Sequence, residues 1–159
     1  MSVDVRFYHL TKSALEQSLP IMLEKTIERG KRATVVIPEK DRLKSINTLL
    51  WVYNDKGFLP HGSSVEGSPE LQPIWLTQNF ENINQSSYAF FADGSFPADA
   101  EQIADLEVCA LMFNGLDGDM VQQARQVWVK LKDAGLDLTY WQQSDRGWKQ
   151  GATTKKEEA

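Results

Sequence analysis

The residues best suited to chemistry lie together in the last third of the sequence. Arg125 and Trp128 are three positions apart in a stretch with helical periodicity, so they are neighbours on one helix face. Lys130 and Lys132 add positive charge nearby, and Tyr140 can approach from the strand expected after this helix. A cation binds carboxylates and a ring-lined slot holds a phenyl group, so the set suits an acidic peptide with an aromatic end. The competing interpretation, which the usual burial of Trp favours, places Trp128 in the core and the lysines on a solvated face.

A second candidate surface surrounds Trp51 and the segment that follows it. Turn and cap residues at 54–57 are expected to end a helix there, so that Trp51 and Phe58 lie on either side of a corner. Pro60 and His61 follow directly. Large aromatic residues at a corner form either the edge of a core or an exposed anchor for a partner. His61 is expected to hydrogen-bond within the loop and to pack beside Trp51.

No recognisable catalytic motif accompanies either set. The sequence has no Gly-x-x-x-x-Gly-Lys-Ser/Thr or Gly-x-Gly-x-x-Gly phosphate loop and no Gly-x-Ser-x-Gly turn. Lys12-Ser13 resembles the end of a phosphate loop but lacks both glycines. One cysteine and two histidines are too few for a Cys/His zinc site, and Asp117 or Asp119 is accounted for as a helix N-cap. We therefore expect no intrinsic catalysis, no cofactor and no metal.

The elements that must position these side chains alternate between strand and helix. Short apolar runs typical of buried strands alternate with longer runs in which apolar residues recur every three to four positions. The predicted strands are 3–9, 33–37, 73–77, 88–91, 106–113 and 136–141, and the predicted helices are 13–30, 39–53 and 117–135. Ser13 is expected to open the first helix in a capping box, and Pro20 to bend it. This order predicts an α/β fold with a parallel, helix-covered sheet.

Length and charge limit the possible functions. The chain has 159 residues and a net charge of −5, which fits one α/β domain at 1–148 and a flexible charged C-terminal tail at 149–159. An acidic total predicts weak or no direct DNA binding, and the cations that could support it are Lys31, Arg32, Lys40, Arg42 and Lys44. Cys109 lies in an apolar run and is expected to be buried. Without a long apolar run or signal peptide, we expect a cytoplasmic protein that does not enter a membrane.

Several short motifs occur in the order found in one known family. They are Phe7-Tyr8-x-Leu10, Gly30-Lys31-Arg32, Leu50-Trp51, Phe58-Leu59-Pro60-His61, Gln72-Pro73-Ile74, and Ala124-Arg125-x-x-Trp128 leading to Ala134-Gly135. Together they resemble the chi subunit family of bacterial DNA polymerase III over about residues 5–141. The resemblance implies a three-layer α/β/α fold with a mostly parallel, mixed sheet that is similar to nucleotide-binding domains but lacks their phosphate loop.

The resemblance also implies an accessory subunit with no active site of its own. Such a subunit bridges the clamp loader, commonly through the psi subunit, to the acidic C-terminal tail of single-stranded DNA-binding protein, which ends in a Pro-Phe pair. It assigns tail binding to Arg125 and Trp128, and each alanine variant is expected to weaken binding while leaving the fold intact. The corner formed by Trp51, Phe58, Pro60 and His61 is the matching candidate for the clamp-loader contact.

The sequence departs from the family pattern at one position of the tail site. Chi subunits often carry another basic residue one turn before the arginine, where this chain has Val121. We therefore expect a cationic patch with fewer positive charges, in which Lys130 or Lys132 supplies the charge. Two other functions stay open: an adaptor that tethers a DNA-repair helicase to coated single-stranded DNA, and a nucleotide-binding enzyme of unknown reaction.

Overall fold

One seven-stranded sheet organises the part of the chain that the structure describes. The computed structural model describes residues 3–11, 15–52, 61–63, 67–68, 72–81, 85–144 and 147–154. The strands are β1 (Asp4–Leu10), β2 (Ala33–Val36), β3 (Ile74–Thr77), β4 (Tyr88–Phe91), β5 (Val108–Asn114), β6 (Asp137–Ser144) and β7 (Gly147–Thr153). Their order is β3-β2-β4-β5-β1-β6-β7. All neighbouring pairs are parallel except β6 and β7, which are antiparallel, so the predicted mostly parallel mixed sheet is confirmed.

Helices cover both faces of this sheet. Two of them, α1 (Leu15–Glu28) and α2 (Lys40–Val52), bury leucine-rich stripes against one face. The third, α3 (Gly118–Asp133), packs Ala124 and Leu131 against the other face, beside a short 3-10 turn at Glu101–Ile103. The three layers predicted for the fold are therefore confirmed. No helix in the described ranges is both long enough and apolar enough to span a membrane.

Local sequence signals set the helix ends. The Asp117 carboxylate accepts hydrogen bonds from the backbone N–H of Asp119 at 3.0 Å and of Met120 at 3.3 Å, so Asp117 is the N-cap of α3. Gly135 follows α3 with a φ of +85°, a left-handed conformation that favours glycine. The α1 helix continues through Pro20. The capping box predicted at Ser13 lies outside the described residues.

The C-terminal strand corrects the predicted start of the tail. Residues 149–153, which we expected to be part of a flexible tail, belong to β7 and pair with β6 through Gln142 opposite Lys149 and Trp141 opposite Gln150. Thr154 then donates its N–H to the carbonyl of Leu138 at 2.8 Å. An edge strand with few apolar residues lacks the alternation that reveals a half-buried strand, which explains the wrong prediction. Residues 155–159 lie outside the described part of the chain.

The alternation of side chains along β1 and β6 creates two different surfaces. Val5 and Phe7 of β1 face α3, together with Tyr140 of β6. Tyr8 of β1 and Trp141 of β6, which are paired across the strands, line the opposite face beside α1. Cys109 is buried on the α3 side, as predicted. Burial also raises the pKa of its thiol above the usual range.

Candidate functional site

A cluster of rings on the α3 face of the sheet runs from the core to the protein surface. The ring of Phe7 packs edge-on against Trp128 with a centroid distance of 5.1 Å, and it stacks with Tyr140 at 6.4 Å. Trp128 and Tyr140 also contact each other edge-on at 6.2 Å. Phe7 is fully buried, whereas Trp128 and Tyr140 are only half-buried. Phe7, His9, Phe113, Trp128 and Tyr140 are called the ring cluster below.

His9 joins the ring cluster from the C-terminal end of β1. Its Nδ1 is hydrogen-bonded with the Tyr140 hydroxyl, and its ring lies 5.5 Å from that of Phe113. Burial lowers the pKa of His9, and the positive charge of Arg125 lowers it further, while a hydrogen bond with the Gly115 backbone opposes the shift. Since the ordinary value is 6.5, His9 is mainly neutral at pH 7.

Arg125 lies at the exposed edge of the ring cluster. Its side chain is on the solvent-facing part of α3, three residues before Trp128. Its charge acts on His9 and also opposes the burial that raises the pKa of Tyr140. The structure therefore brings Arg125, Trp128 and Tyr140 together, as the sequence predicted. His9 was not included in that prediction, because its partner Tyr140 is 131 positions away in the sequence.

The two lysines of α3 point in different directions. Lys132 is exposed one turn beyond Trp128 and seven residues from Arg125, which places it on the same helix face. Lys130 is five residues from Arg125, which corresponds to about 140° around a helix of 3.6 residues per turn. Its Nζ donates a hydrogen bond to the carbonyl of Ala98. Lys132 therefore lies on the same side of α3 as Arg125, whereas Lys130 lies on a different side, next to Ala98.

Trp128 combines features of both interpretations considered for it. The indole packs against the core through Phe7, yet the residue is only half-buried. Val121, one turn before Arg125, also packs against this core and adds no charge. Replacing Trp128 with alanine therefore removes packing contacts in the core as well as exposed aromatic surface. A buried aromatic pair stabilises the fold by about 0.5–1.5 kcal/mol beyond the contribution of its buried area. The expectation that this variant leaves the fold intact does not agree with the packing.

Trp51 forms a separate exposed surface at the end of α2. The side chain is 48% exposed and its ring lies 4.4 Å from that of His61. His61 is buried and its Nε2 is hydrogen-bonded with the carbonyl oxygen of Asn47 at 3.2 Å, as expected for a loop hydrogen-bonder beside Trp51. Phe58 and Pro60, the other predicted members of this corner, lie outside the described residues.

Some of the cations considered for direct DNA contact already have anionic partners. Lys31 forms an ion pair with Glu107 at 3.0 Å. Arg42 pairs with Asp93 at 2.6 Å and also with Glu16. These pairs reduce the positive charge available for phosphate contacts. In the ranges that the structure describes, no group of three or more His, Cys, Asp or Glu side chains is placed to hold a metal ion.

The fold and the site define a protein with an open, mostly parallel α/β/α sheet, no phosphate-loop motif, and a ring cluster next to Arg125. Residues 2–139 match the family described as "DNA polymerase III chi subunit, HolC". The chain is also similar to the "Probable DNA polymerase III subunit chi" of Rickettsia prowazekii (strain Madrid E). The two are 22% identical over 126 residues, which cover 78% of this chain and 74% of the relative. The chain belongs to the DNA polymerase III chi subunit family and is an accessory subunit in DNA replication.

Proposed function

We propose that this subunit connects DNA polymerase III with single-stranded DNA-binding protein by holding the acidic C-terminal tail of the latter. The proposal is supported above all by the position of Arg125, which is exposed beside Trp128 and close enough to His9 and Tyr140 to influence both. In this arrangement the tail carboxylates contact Arg125, and the terminal phenyl group of the tail inserts at the exposed edge of the ring cluster. Lys132 extends the positive charge along the same helix face.

The rings, rather than the charge, are expected to supply most of the affinity. A fully buried phenyl group contributes roughly 1.5–3 kcal/mol. An exposed charge pair contributes only about 0.2–1 kcal/mol, because water and salt screen it. The charge of Arg125 then mainly accelerates encounter and makes binding salt-dependent.

Arg125→Ala is expected to weaken binding of a fluorescein-labelled tail peptide about two- to fivefold, and to reduce the salt dependence of binding. Fluorescence anisotropy at two salt concentrations measures both effects. The fold should be unaffected because the side chain is exposed. Lys130→Ala is the matched control: it removes the same charge from the same helix, but on a different side, and should leave the affinity unchanged. Equal affinities for the Arg125→Ala variant and the unmodified protein would contradict the proposed site.

We further propose that the surface around Trp51 binds a clamp-loader subunit, psi where the host has one. Trp51 is a large, half-exposed aromatic residue, and Val52 beside it is 66% exposed, which is the composition expected of an interface anchor. The surface lies on α2, whereas the tail site lies on α3 across the sheet. One subunit can therefore hold both partners at the same time.

Trp51→Ala is expected to weaken the clamp-loader contact about 30-fold, as truncation of an interface hot spot does, and to leave tail affinity unchanged. Calorimetry with the reconstituted clamp-loader subunit measures the loss. Ile21→Ala, which removes another exposed apolar side chain on α1, is the control. Absence of hydrogen-exchange protection at residues 50–61 in the complex would count against this assignment.

Capture of a repair helicase without any clamp-loader subunit would assign the surface to the helicase instead.

A further inference from the structure

A second concave surface lies on the opposite face of the sheet from the ring cluster, between α1 and strands β4, β5, β1, β6 and β7. Its volume is about 480 Å³, which is within the range of small-ligand sites. Tyr8, Trp141 and Trp148 contribute rings to its sheet wall, and Lys25 of α1 and Arg29, which directly follows α1, line the opposite wall. This surface is called the α1 cleft below. The tail and clamp-loader contacts proposed above use none of these residues.

The sheet wall of the α1 cleft offers flat aromatic surfaces. The rings of Tyr8 and Trp148 meet edge-on with a centroid distance of 5.1 Å. Trp141 pairs with Tyr8 across the strands and therefore lies on the same face. The indole Nε1 of Trp141 is buried and has no hydrogen-bond partner among the described residues. A buried N–H without a partner is costly, so an acceptor on a bound ligand that reaches this group would stabilise the complex.

The helix wall of the α1 cleft carries positive charge that little in the cleft neutralises. Lys25 lies in the last turn of α1, and Arg29 directly follows the helix and donates its N–H to the carbonyl of Lys25 at 3.2 Å. Their side chains are therefore neighbours and repel each other unless an anion lies between them. Lys25 makes no ion pair with any described residue, and Arg29 donates a hydrogen bond to the hydroxyl of Tyr88 at 3.3 Å. Cations at the C-terminal end of a helix are also stabilised by the helix dipole. The two positive charges alone therefore do not identify a ligand site.

The cations and the rings belong to one continuous site. Arg6 and Arg29 both act on the hydroxyl of Tyr8, because their charges oppose the burial that raises the pKa of Tyr8. Arg6 is partly neutralised by Asp4 at 3.0 Å, which leaves the surplus charge on the α1 side. A ligand of this cleft must therefore join an anionic group to a flat ring over a short distance.

We propose that the α1 cleft binds a nucleotide, with the phosphate at Lys25 and Arg29 and the base stacked against Trp141 and Trp148. Base stacking on aromatic side chains combined with a cationic groove is the usual mode of binding single nucleotides of a strand. A compact site of this volume fits a nucleotide better than an extended acidic peptide. The nucleotide comes either from solution or from single-stranded nucleic acid, and the net charge of −5 disfavours contacts beyond this cleft.

Indole N–H signals in nuclear magnetic resonance spectra of the full chain give a direct test. The five tryptophans provide five signals, which Trp→Phe variants assign. Titration with dTMP or with the hexamer (dT)6 is expected to shift the signals of Trp141 and Trp148 and leave that of Trp128 in place. Thymidine carries the base without the phosphate, and inorganic phosphate carries the anion without the base. Each should bind at least about tenfold more weakly than dTMP. Tighter binding of (dT)6 than of dTMP identifies the single strand as the source, and equal binding identifies the free nucleotide.

Exposed charge variants complete the test. Lys25→Ala and Arg29→Ala should each weaken dTMP binding about tenfold, as expected for loss of a charge-assisted hydrogen bond. Both side chains are exposed, so the fold is retained. Lys132→Ala on α3 removes the same charge elsewhere and should have no effect. The proposal is wrong if neither dTMP nor (dT)6 shifts Trp141 and Trp148, or if the acidic tail peptide shifts them more strongly than either nucleotide.

Discussion

A tail peptide that lacks its terminal phenylalanine is expected to bind this subunit about 10- to 100-fold more weakly than the intact peptide. In the proposed complex the phenyl group of the tail inserts beside Trp128 and Tyr140, and burying it contributes roughly 1.5–3 kcal/mol. The proposed contact with Arg125 is exposed, and such a contact contributes only about 0.2–1 kcal/mol, so it cannot compensate for the loss. Calorimetric titration of the full chain with both peptides measures the difference.

Two further measurements separate the contribution of the ring from that of the charge. A peptide whose aspartates are replaced by asparagine should lose less affinity than the truncated peptide, but nearly all of its salt dependence. The indole N–H signal of Trp128 should shift with the intact peptide and stay in place with the truncated one. If removing the phenylalanine leaves the affinity unchanged while removing the aspartates abolishes binding, the ring cluster is not the slot for the tail.

Local patterns were sufficient to predict the layers of this fold. The apolar runs at 33–36 and 88–91 are buried on both faces, and that is the burial expected of central strands in a parallel sheet. Gly135 and Asp117 limit α3 because their backbone and side-chain preferences act within a few residues. Apolar runs and helix caps depend only on residues that are close together in the chain, so they can be recognised in a single sequence.

The edges of the sheet and the environment of Trp128 depend on contacts that no local pattern contains. β7 is an exposed edge strand whose side chains are mostly polar, and it becomes ordered by pairing with β6. Helical spacing placed Arg125 beside Trp128, but the ring under Trp128 is Phe7, about 120 residues away in the sequence. The orientation of Lys130 could have been inferred from its five-residue offset from Arg125, since that spacing separates two side chains around a helix.

Replacing Gly115 with alanine is expected to destabilise the protein by about 1–3 kcal/mol, as overpacking of a filled region does. A Cβ atom at position 115 would lie 1.9 Å from the His9 ring. That ring cannot move away freely, because Phe113 and Tyr140 pack against it and Tyr140 is hydrogen-bonded to it. Urea unfolding of the full chain measures the loss of stability. The variant should also bind the tail peptide more weakly, since moving His9 displaces Tyr140 at the proposed site.

The same substitution in a His9→Ala background should no longer destabilise the protein. With the imidazole removed, Gly115→Ala is expected to be neutral or to stabilise by about 0.4–1 kcal/mol, because alanine reduces the entropy of the unfolded chain. The backbone permits this, since Gly115 is not among the glycines with positive φ. Gly118→Ala is the matched control, because a Cβ atom there would have no atom within 4 Å apart from those of its chain neighbours and of the backbone of its own helix. The two backgrounds form a double-mutant cycle, which measures the coupling between positions 9 and 115 directly. An equal loss of unfolding free energy for Gly115→Ala in both backgrounds would mean that His9 does not require the glycine.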